Sequence, residues 1–245
     1  MSIVTIHEEG AVSIIAINRP EKSNAISNQV ALELQAAFTA FDRSDQRVAV
    51  LTGAGDRAFS AGADLSDIPE LWRCVPAVGV TTEKPIIAAI AGWCVGGALV
   101  IATMADLAVA ADNARFSYPE AKLGFTGGMI AALAARIPHK IAMELILLGQ
   151  PIDAQRAYEA GLVNKVVPVG EQVKAALTWA QELATYSPLV LRTLKRFVND
   201  GVLPKGPSER MALASRDLAI VRESVDAQEG MRAFKEKRSP VYTGR

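Results

Sequence analysis

The sequence predicts an α/β protein in which a largely parallel sheet precedes a helical C-terminal region. Over the first half of the chain, short apolar runs typical of buried strands alternate with helical patterns, whereas nearly every pattern after about residue 137 is helical. Alternating strands and helices imply crossover connections that cover a parallel sheet on both faces. A chain of 245 residues, 50% of them hydrophobic, can bury a large core without disulfides or a structural metal.

The elements of the first half follow from turn signals and from the spacing of apolar residues. The turn at residues 8–10 separates two strands, and Ser27 is a candidate N-cap of a helix that continues to about Arg43. The later strands are short, continuous apolar runs, as expected for strands that are covered on both faces. Strands are predicted at residues 5–7, 11–18, 47–52, 86–90, 107–110 and 115–118, and a buried helix is predicted at 96–104.

The second half is predicted to consist mainly of helices. Asp153 is a candidate N-cap, Gly161 stands where a C-terminal cap glycine belongs, and Pro188 suits a first helical turn. Helices are predicted at residues 141–148, 153–160, 172–185, 188–199 and 207–236, and residues 66–80 are expected to form one surface helix. We divide the chain on this basis into a core at residues 1–190 and a helical region at residues 191–245.

The balance of charges and the cysteine content argue against several classes of protein. Lys plus Arg and Asp plus Glu each number 26, so the chain lacks the basic excess of a general nucleic-acid-binding protein. Cys74 and Cys94 form no CxxC pair, which argues against a disulfide scaffold and favours a reducing compartment such as the cytoplasm. His7 and His139 are far apart in sequence, so no His-rich metal site is expected.

The most apolar stretch, residues 85–111, is long enough to resemble a transmembrane helix. Gly92, Gly96 and Gly97 interrupt this stretch, and the patterns on either side favour a buried strand, a turn and a buried helix. No membrane partner is therefore expected.

Two segments rich in small residues follow predicted strands, at residues 53–65 and 91–98. Small residues let the backbone approach a ligand closely, and N–H groups at a helix N-terminus favour negative charge. Two N–H donors from separate loops can converge on one oxygen as an oxyanion hole. The first segment matches neither a dinucleotide fingerprint nor a phosphate-binding P-loop, and tight turns without a ligand are the alternative.

Four short motifs, in order along the chain, carry the most specific signal. They are Asn18–Ile26 (NRPEKSNAI), Phe59–Leu65 (FSAGADL), Gly92–Ala98 (GWCVGGA) and Phe116–Gly124 (FSYPEAKLG). Together they resemble the motifs of the crotonase family, also called the enoyl-CoA hydratase/isomerase family. The resemblance implies a crotonase-like spiral of ββα repeats with a helical C-terminal trimerisation region, and a homotrimer or a dimer of trimers. It also implies an acyl-CoA thioester substrate and no cofactor, because coenzyme A is part of the substrate.

The resemblance assigns roles to the backbone of the small residues. The N–H groups of Ala61 and Gly97 are expected to form an oxyanion hole, and one such donor contributes roughly 2.7–4 kcal/mol. Four consecutive residues are expected to follow the bound substrate: Ala61, Gly62, Ala63 and Asp64. Lys22 is a candidate phosphate contact, and a solvated loop lysine is the equal alternative.

Family hydratases share proton transfer between two glutamates, and the resemblance places Val100 and Glu120 at those two positions. Val100 cannot hydrogen-bond water, so it is expected only to line the substrate site. A double-bond isomerase needs one carboxylate that moves a proton between C2 and C4 of a 3-enoyl thioester. Glu120 is therefore predicted to be the catalytic acid/base of an enoyl-CoA isomerase. The alternatives are a hydratase or dehydratase with an altered acid arrangement, and a non-catalytic acyl-CoA-binding protein.

The remaining nearby side chains are predicted to be mainly structural. Trp93 and Phe116 are expected in the pocket wall or the core, and Tyr118 either packs there or donates a hydrogen bond within the site. Asp67 and Glu70 are expected to be surface acids rather than a second catalytic acid.

Overall fold

The structure is a computed structural model that describes residues 2–245. Within this range the chain forms two sheets from ten strands. The strands are β1 (Val4–Glu9), β2 (Val12–Ile17), β3 (Val48–Gly53), β4 (Ala58–Ser60), β5 (Ile86–Ile90), β6 (Trp93–Val95), β7 (Leu107–Ala111), β8 (Arg115–Ser117), β9 (Ile152–Asp153) and β10 (Lys165–Val167).

The large sheet has the order β1-β2-β3-β5-β7-β10, and the small sheet has the order β4-β6-β8-β9. Neighbouring strands are parallel except for β1 with β2 and β8 with β9. The prediction of a largely parallel α/β fold is confirmed. The strands β4, β6, β9 and β10 are not predicted, because strands of two or three residues carry too little periodicity to be distinguished from loops.

The helices fall close to the predicted ranges, and the N-caps predicted at Ser27 and Asp153 are confirmed by hydrogen bonds from the backbone N–H groups of Val30 and Arg156. Within the described residues the helices are α1 (Asn28–Arg43), α2 (Gly97–Met104), α3 (Glu120–Leu123), α4 (His139–Met143), α5 (Ala154–Glu159), α6 (Gln172–Ala184), α7 (Pro188–Phe197), α8 (Pro207–Arg222) and α9 (Val225–Glu236). Single π-helical turns extend α4 and α7 to residues 148 and 202.

Two helical predictions are wrong in extent. Residues 66–80 form only one 3-10 helix, at Leu71–Cys74, because Pro69 and Pro76 flank it and Ala77 has a φ of +60°. Residues 207–236 divide into α8 and α9, because the Ser224 side chain caps the start of the second helix.

Helices cover both faces of the large sheet. Leu51 faces the main core together with Leu34 of α1, whereas Val50 faces Ala176 and Ala180 of α6 on the opposite side. Adjacent strand residues belong to different layers because side chains alternate along a strand. The strands therefore appear in the sequence as continuous apolar runs.

The last three helices expose many apolar side chains. Examples are Leu189, Phe197, Leu218, Ile220 and Phe234. The predicted division between residues 190 and 191 falls inside α7, so one continuous helix crosses it. Among residues 2–245, no helix combines the length and the apolarity that crossing a bilayer requires.

Candidate active site

The two glycine-rich segments lie side by side, because they contain the strands β4 and β6, which pair in parallel. A Cβ atom added to Gly62 would lie 2.6 Å from the carbonyl oxygen of Val95 and 3.5 Å from the backbone nitrogen of Gly97. Gly62 also has a φ of +90°, which other residues rarely adopt. A glycine at this position therefore allows the first segment to approach the N-terminus of α2.

Ala61 does not provide the predicted oxyanion donor. Its N–H is donated to the Ser23 carbonyl oxygen at 2.9 Å, and this bond ties the segment to the loop before α1. An amide already paired in this way is not free for a substrate oxygen. The prediction that Ala61 is an oxyanion donor is therefore wrong. The motif could not reveal this, because the acceptor of the Ala61 N–H is Ser23, which lies in a different segment.

The Ala63 N–H is the candidate donor in place of that of Ala61. Ile26 donates its N–H to the carbonyl of Gly62 and accepts the N–H of Asp64, both at 2.8 Å. Ala63 lies between these two bonds, so its own N–H points to the other side of the extended segment and has no protein acceptor within residues 2–245. Ala63 and Gly97 line the same cavity.

Gly97 is the second candidate donor. It is the first residue of α2, so its N–H has no partner inside the helix. A Cβ atom added to Gly97 would lie 2.9 Å from both methyl carbons of Leu71, which shows that Leu71 covers this N-terminus. An apolar cover strengthens the interaction of an N–H group with negative charge, because it keeps water away.

Glu120 approaches the same point from α3. Its Oε1 would lie 2.6 Å from a Cβ atom added to Gly96, so the carboxyl group contacts the turn that leads into α2. Its Oε2 is buried and has no hydrogen-bond partner among the described residues. Burial raises the pKa of Glu120 to about 7, despite a smaller opposing effect of its own backbone N–H. Such a carboxyl group can both take and return a proton near neutral pH.

These groups meet in a cavity of about 210 Å³, which we call the Glu120 cavity. Its wall includes Ala63, Leu71, Gly97, Val100 and Glu120. Val100 is 3% exposed, and its side chain offers the cavity only methyl groups. The cavity therefore combines two unpaired N–H donors, one unpaired carboxyl group and largely apolar walls.

Other walls of the cavity come from distant parts of the chain. The 3-10 helix contributes Leu71 and Trp72, and α8 contributes Ser208, Met211 and Ser215. The α8 residues follow a helical i, i+3, i+7 spacing, which marks one face of the helix but does not indicate what that face contacts. No sequence signal identified them as site residues.

Asp64 stabilises the first glycine-rich segment. Its carboxylate accepts hydrogen bonds from the Ser66 hydroxyl at 2.6 Å and from Arg19 at 3.2 Å. Bonds from the hydroxyl and backbone N–H of Ser66, followed by those from Arg19, lower the pKa of Asp64. Lys22 is exposed at the end of the 3-10 helix Pro20–Lys22, and it forms no ion pair within residues 2–245.

The remaining predictions have mixed outcomes. Phe116 is fully buried in the core, as predicted. Trp93 is 46% exposed and does not line the Glu120 cavity, so it lies neither in the core nor in the wall of that cavity. The Tyr118 hydroxyl lies 2.8 Å from Thr126 Oγ1, at the edge of the Glu120 cavity. Asp67 accepts the N–H of Asn28 at the start of α1 and does not line the cavity.

Glu70 is an exposed surface acid, as predicted, and it also borders the Glu120 cavity. Its carboxylate pairs with Arg73 at 2.8 Å and is 45% exposed. Arg73 also pairs with Glu223 at the end of α8, at 2.6 Å. This pairing connects the 3-10 helix that covers Gly97 to the C-terminal helices.

The chain is similar to known proteins over nearly its whole length. A family model described as enoyl-CoA hydratase/isomerase matches residues 7–245. The chain belongs to the enoyl-CoA hydratase/isomerase family. It is 34% identical to (E)-benzylidenesuccinyl-CoA hydratase of Thauera aromatica, over 98% of this chain and 99% of that protein. It is 35% identical to carnitinyl-CoA dehydratase of Salmonella typhi, over 96% of each chain.

Solved structures of this family resemble the chain over its whole length. A carnitinyl-CoA dehydratase from Mycobacterium avium 104 has a TM-score of 0.77, with 35% identity and coverage of 100% of both chains. A short-chain enoyl-CoA hydratase described from Novosphingobium aromaticivorans has a TM-score of 0.76, with 35% identity and coverage of 100% and 99%. The predicted crotonase-like fold is confirmed, and the chain is an acyl-CoA-processing enzyme of this family.

Proposed function

We propose that this enzyme is an enoyl-CoA isomerase in which Glu120 is the only carboxylate that transfers protons. The observation that supports this proposal is the unpaired Glu120 carboxyl group, which lines one cavity together with the apolar Val100 and with Ala63 and Gly97, whose N–H groups are free. Isomerisation moves one proton, which one carboxylate can accept and return.

The reaction begins when the Glu120 carboxylate takes a proton from C2 of a 3-enoyl thioester. The electron pair left at C2 becomes part of a dienolate, and the negative charge develops on the thioester oxygen. Ala63 and Gly97 donate hydrogen bonds to that oxygen, each worth roughly 2.7–4 kcal/mol. Glu120 then returns the proton to C4, and the double bond shifts from C3–C4 to C2–C3.

Binding and assembly are part of the same proposal. The segment from Ala61 to Asp64 follows the coenzyme A portion of the substrate, and Lys22 contacts one of its phosphates. No separate cofactor takes part. The exposed apolar residues of α7, α8 and α9 support a homotrimer or a dimer of trimers. The free thiols of Cys74 and Cys94 suit the cytoplasm.

A hydratase or dehydratase is the second candidate, and the names of the relatives favour it. Hydration requires that a water molecule be held and polarised while a proton reaches the neighbouring carbon. Val100 cannot hold that water. In this candidate another polar group bordering the Glu120 cavity would do so.

The first experiment follows the rise of conjugated-thioester absorbance after the protein is added to a 3-enoyl-CoA. We expect a rise that disappears in Glu120→Gln while thioester binding persists. A parallel assay follows the loss of absorbance when a 2-enoyl-CoA is hydrated.

The outcomes separate the candidates. Hydration without isomerisation would refute the isomerase proposal, and binding without either reaction would favour an acyl-CoA-binding protein. Val100→Glu provides the matched gain-of-function test. If the missing carboxylate is what limits hydration, this variant hydrates the 2-enoyl-CoA faster than the unmodified enzyme.

A further inference from the structure

The segment that covers the N-terminus of α2 is short. Leu71 belongs to the 3-10 helix Leu71–Cys74, and both of its methyl carbons would lie 2.9 Å from a Cβ atom added to Gly97. A single 3-10 turn has few internal hydrogen bonds and is not stable by itself. The position of Leu71 therefore depends on the contacts that this turn makes with the rest of the protein.

Arg73 supplies several of these contacts through one side chain. Its guanidinium group donates to Gln35 of α1 at 3.1 Å, to Glu70 at 2.9 Å and to Glu223 at the end of α8 at 2.6 Å. The guanidinium carbon also lies 4.6 Å from the centre of the Trp72 ring. Arg73 is only 5% exposed, so one buried side chain joins the 3-10 helix to two long helices.

The contacts of Arg73 lie on both sides of Leu71 in the sequence. Glu70 precedes Leu71 and Trp72 follows it, so the ion pair and the ring contact hold the backbone that carries the Leu71 side chain. A planar guanidinium group can make these contacts together, whereas an ammonium group cannot reproduce the arrangement. Leu71 lines the Glu120 cavity and Arg73 does not, so any effect of Arg73 on the reaction must act through its neighbours.

We propose that Arg73 is a positioning residue for catalysis, because it holds Leu71 over the Gly97 amide and thereby keeps water away from that amide. This inference rests on the proposed function, which assigns the Gly97 N–H to the thioester oxygen. A hydrogen bond to developing negative charge is stronger where water is excluded, since the effective dielectric constant is lower. Displacement of Leu71 should therefore slow the chemical step more than it weakens substrate binding.

The test measures kcat and KM of Arg73→Met with a 3-enoyl-CoA, at a temperature at which circular dichroism shows the variant to be folded. We expect kcat to fall by about tenfold, which is less than the loss of about 100-fold or more that follows removal of such a donor. KM should change by less than about twofold, because Arg73 does not line the Glu120 cavity. Glu223→Gln weakens only the contact with α8, so it is the milder variant and should lower kcat by a smaller factor.

Arg216→Met is the matched control. Arg216 lies on α8 and donates to the Val78 carbonyl oxygen at 3.0 Å, so it joins α8 to the chain beyond the 3-10 helix. This variant should lose stability but keep the kcat of the unmodified enzyme.

A double-mutant cycle with Leu71→Ala separates positioning from general destabilisation. Leu71→Ala should lower kcat by about tenfold or more, because it removes the cover itself. If Arg73 acts through Leu71, adding Arg73→Met to this variant should leave kcat almost unchanged.

Unchanged kcat in Arg73→Met would overturn the inference, as would an equal loss in Arg216→Met or multiplying losses in the double variant. Failure of the isomerase proposal is distinguishable from these results. If the enzyme hydrates a 2-enoyl-CoA instead, the same variants are compared in hydration, because charge also develops on the thioester oxygen in that reaction. Absence of turnover with both thioesters would refute this inference together with the proposed function.

Discussion

Replacing Glu120 by Gln should stabilise the folded protein above neutral pH. The carboxyl group has a buried oxygen without a partner, and its pKa is about 7 in the folded protein against an ordinary value of 4.5. The native state therefore binds more protons than the unfolded chain between these two values. The free energy of unfolding must fall as the pH rises from about 4.5 to about 7, and it must stay lower above pH 7.

The size of the effect follows from the same pKa. The full difference corresponds to at most about 3 kcal/mol, and water entering the cavity reduces it to about 1–2 kcal/mol. Glutamine has nearly the same shape as a neutral carboxyl group and carries no charge at any pH. Glu120→Gln should thus raise Tm by about 2–8 °C at pH 8 and leave it almost unchanged at pH 4.5.

Thermal unfolding monitored by circular dichroism at both pH values provides the assay. Glu8→Gln, which removes an exposed carboxylate from β1, is the control and should not change the pH dependence. An equal Tm for the unmodified protein and Glu120→Gln at pH 8 would refute the reasoning. It would mean that the carboxylate is hydrated or paired in solution.

Three further predictions concern catalysis and the cover of the site. The kcat/KM for a 3-enoyl-CoA should rise with pH through a midpoint near 7, because the Glu120 carboxylate is the base; a flat profile between pH 5 and 9 would contradict this role. Gly62→Ala should lower kcat by about 100-fold, because the added methyl group displaces the N-terminus of α2. Gly170→Ala is the control, since Gly170 has the same φ of +90° but open space around it, and this variant should only lower Tm. Equal kcat in the two variants would exclude the steric explanation. Arg73→Met should lower the free energy of unfolding, measured by urea titration, by about 1–3 kcal/mol. Lys174→Met removes an exposed ion pair and should change this free energy by less than about 0.5 kcal/mol. Similar losses in the two variants would show that the ion pair between Arg73 and Glu223 is unimportant for stability.

The burial of the Glu120 carboxyl group affects both the stability of the protein and its proposed function. Burial without a partner destabilises the ionised native state and at the same time brings the pKa of the carboxyl group close to neutrality. A hydrogen-bond donor beside Oε2 would stabilise the fold but would also return the pKa to the acidic range. The structure therefore shows a group whose unfavourable environment suits proton transfer.

The sequence alone determined the α/β class, the positions of most strands and helices, and the family. These depend on local patterns: continuous apolar runs for strands buried on both faces, Ser27 and Asp153 as helix caps, and four motifs that resemble one family. The prediction that Glu120 would be the acid/base also rested on its motif, and the structure adds its burial and its raised pKa. Local signals of this kind can be recognised in a sequence because a strand, a cap or a turn depends on only a few adjacent residues.

Only the tertiary structure decided which groups surround the substrate. The free amide belongs to Ala63 rather than Ala61, because a bond to Ser23 occupies the latter. The 3-10 helix that covers Gly97 and the face of α8 on the wall of the Glu120 cavity arise from packing between residues far apart in sequence. Direction of hydrogen bonds, burial of one oxygen and the size of a cavity are properties of several segments at once, and no local pattern encodes them.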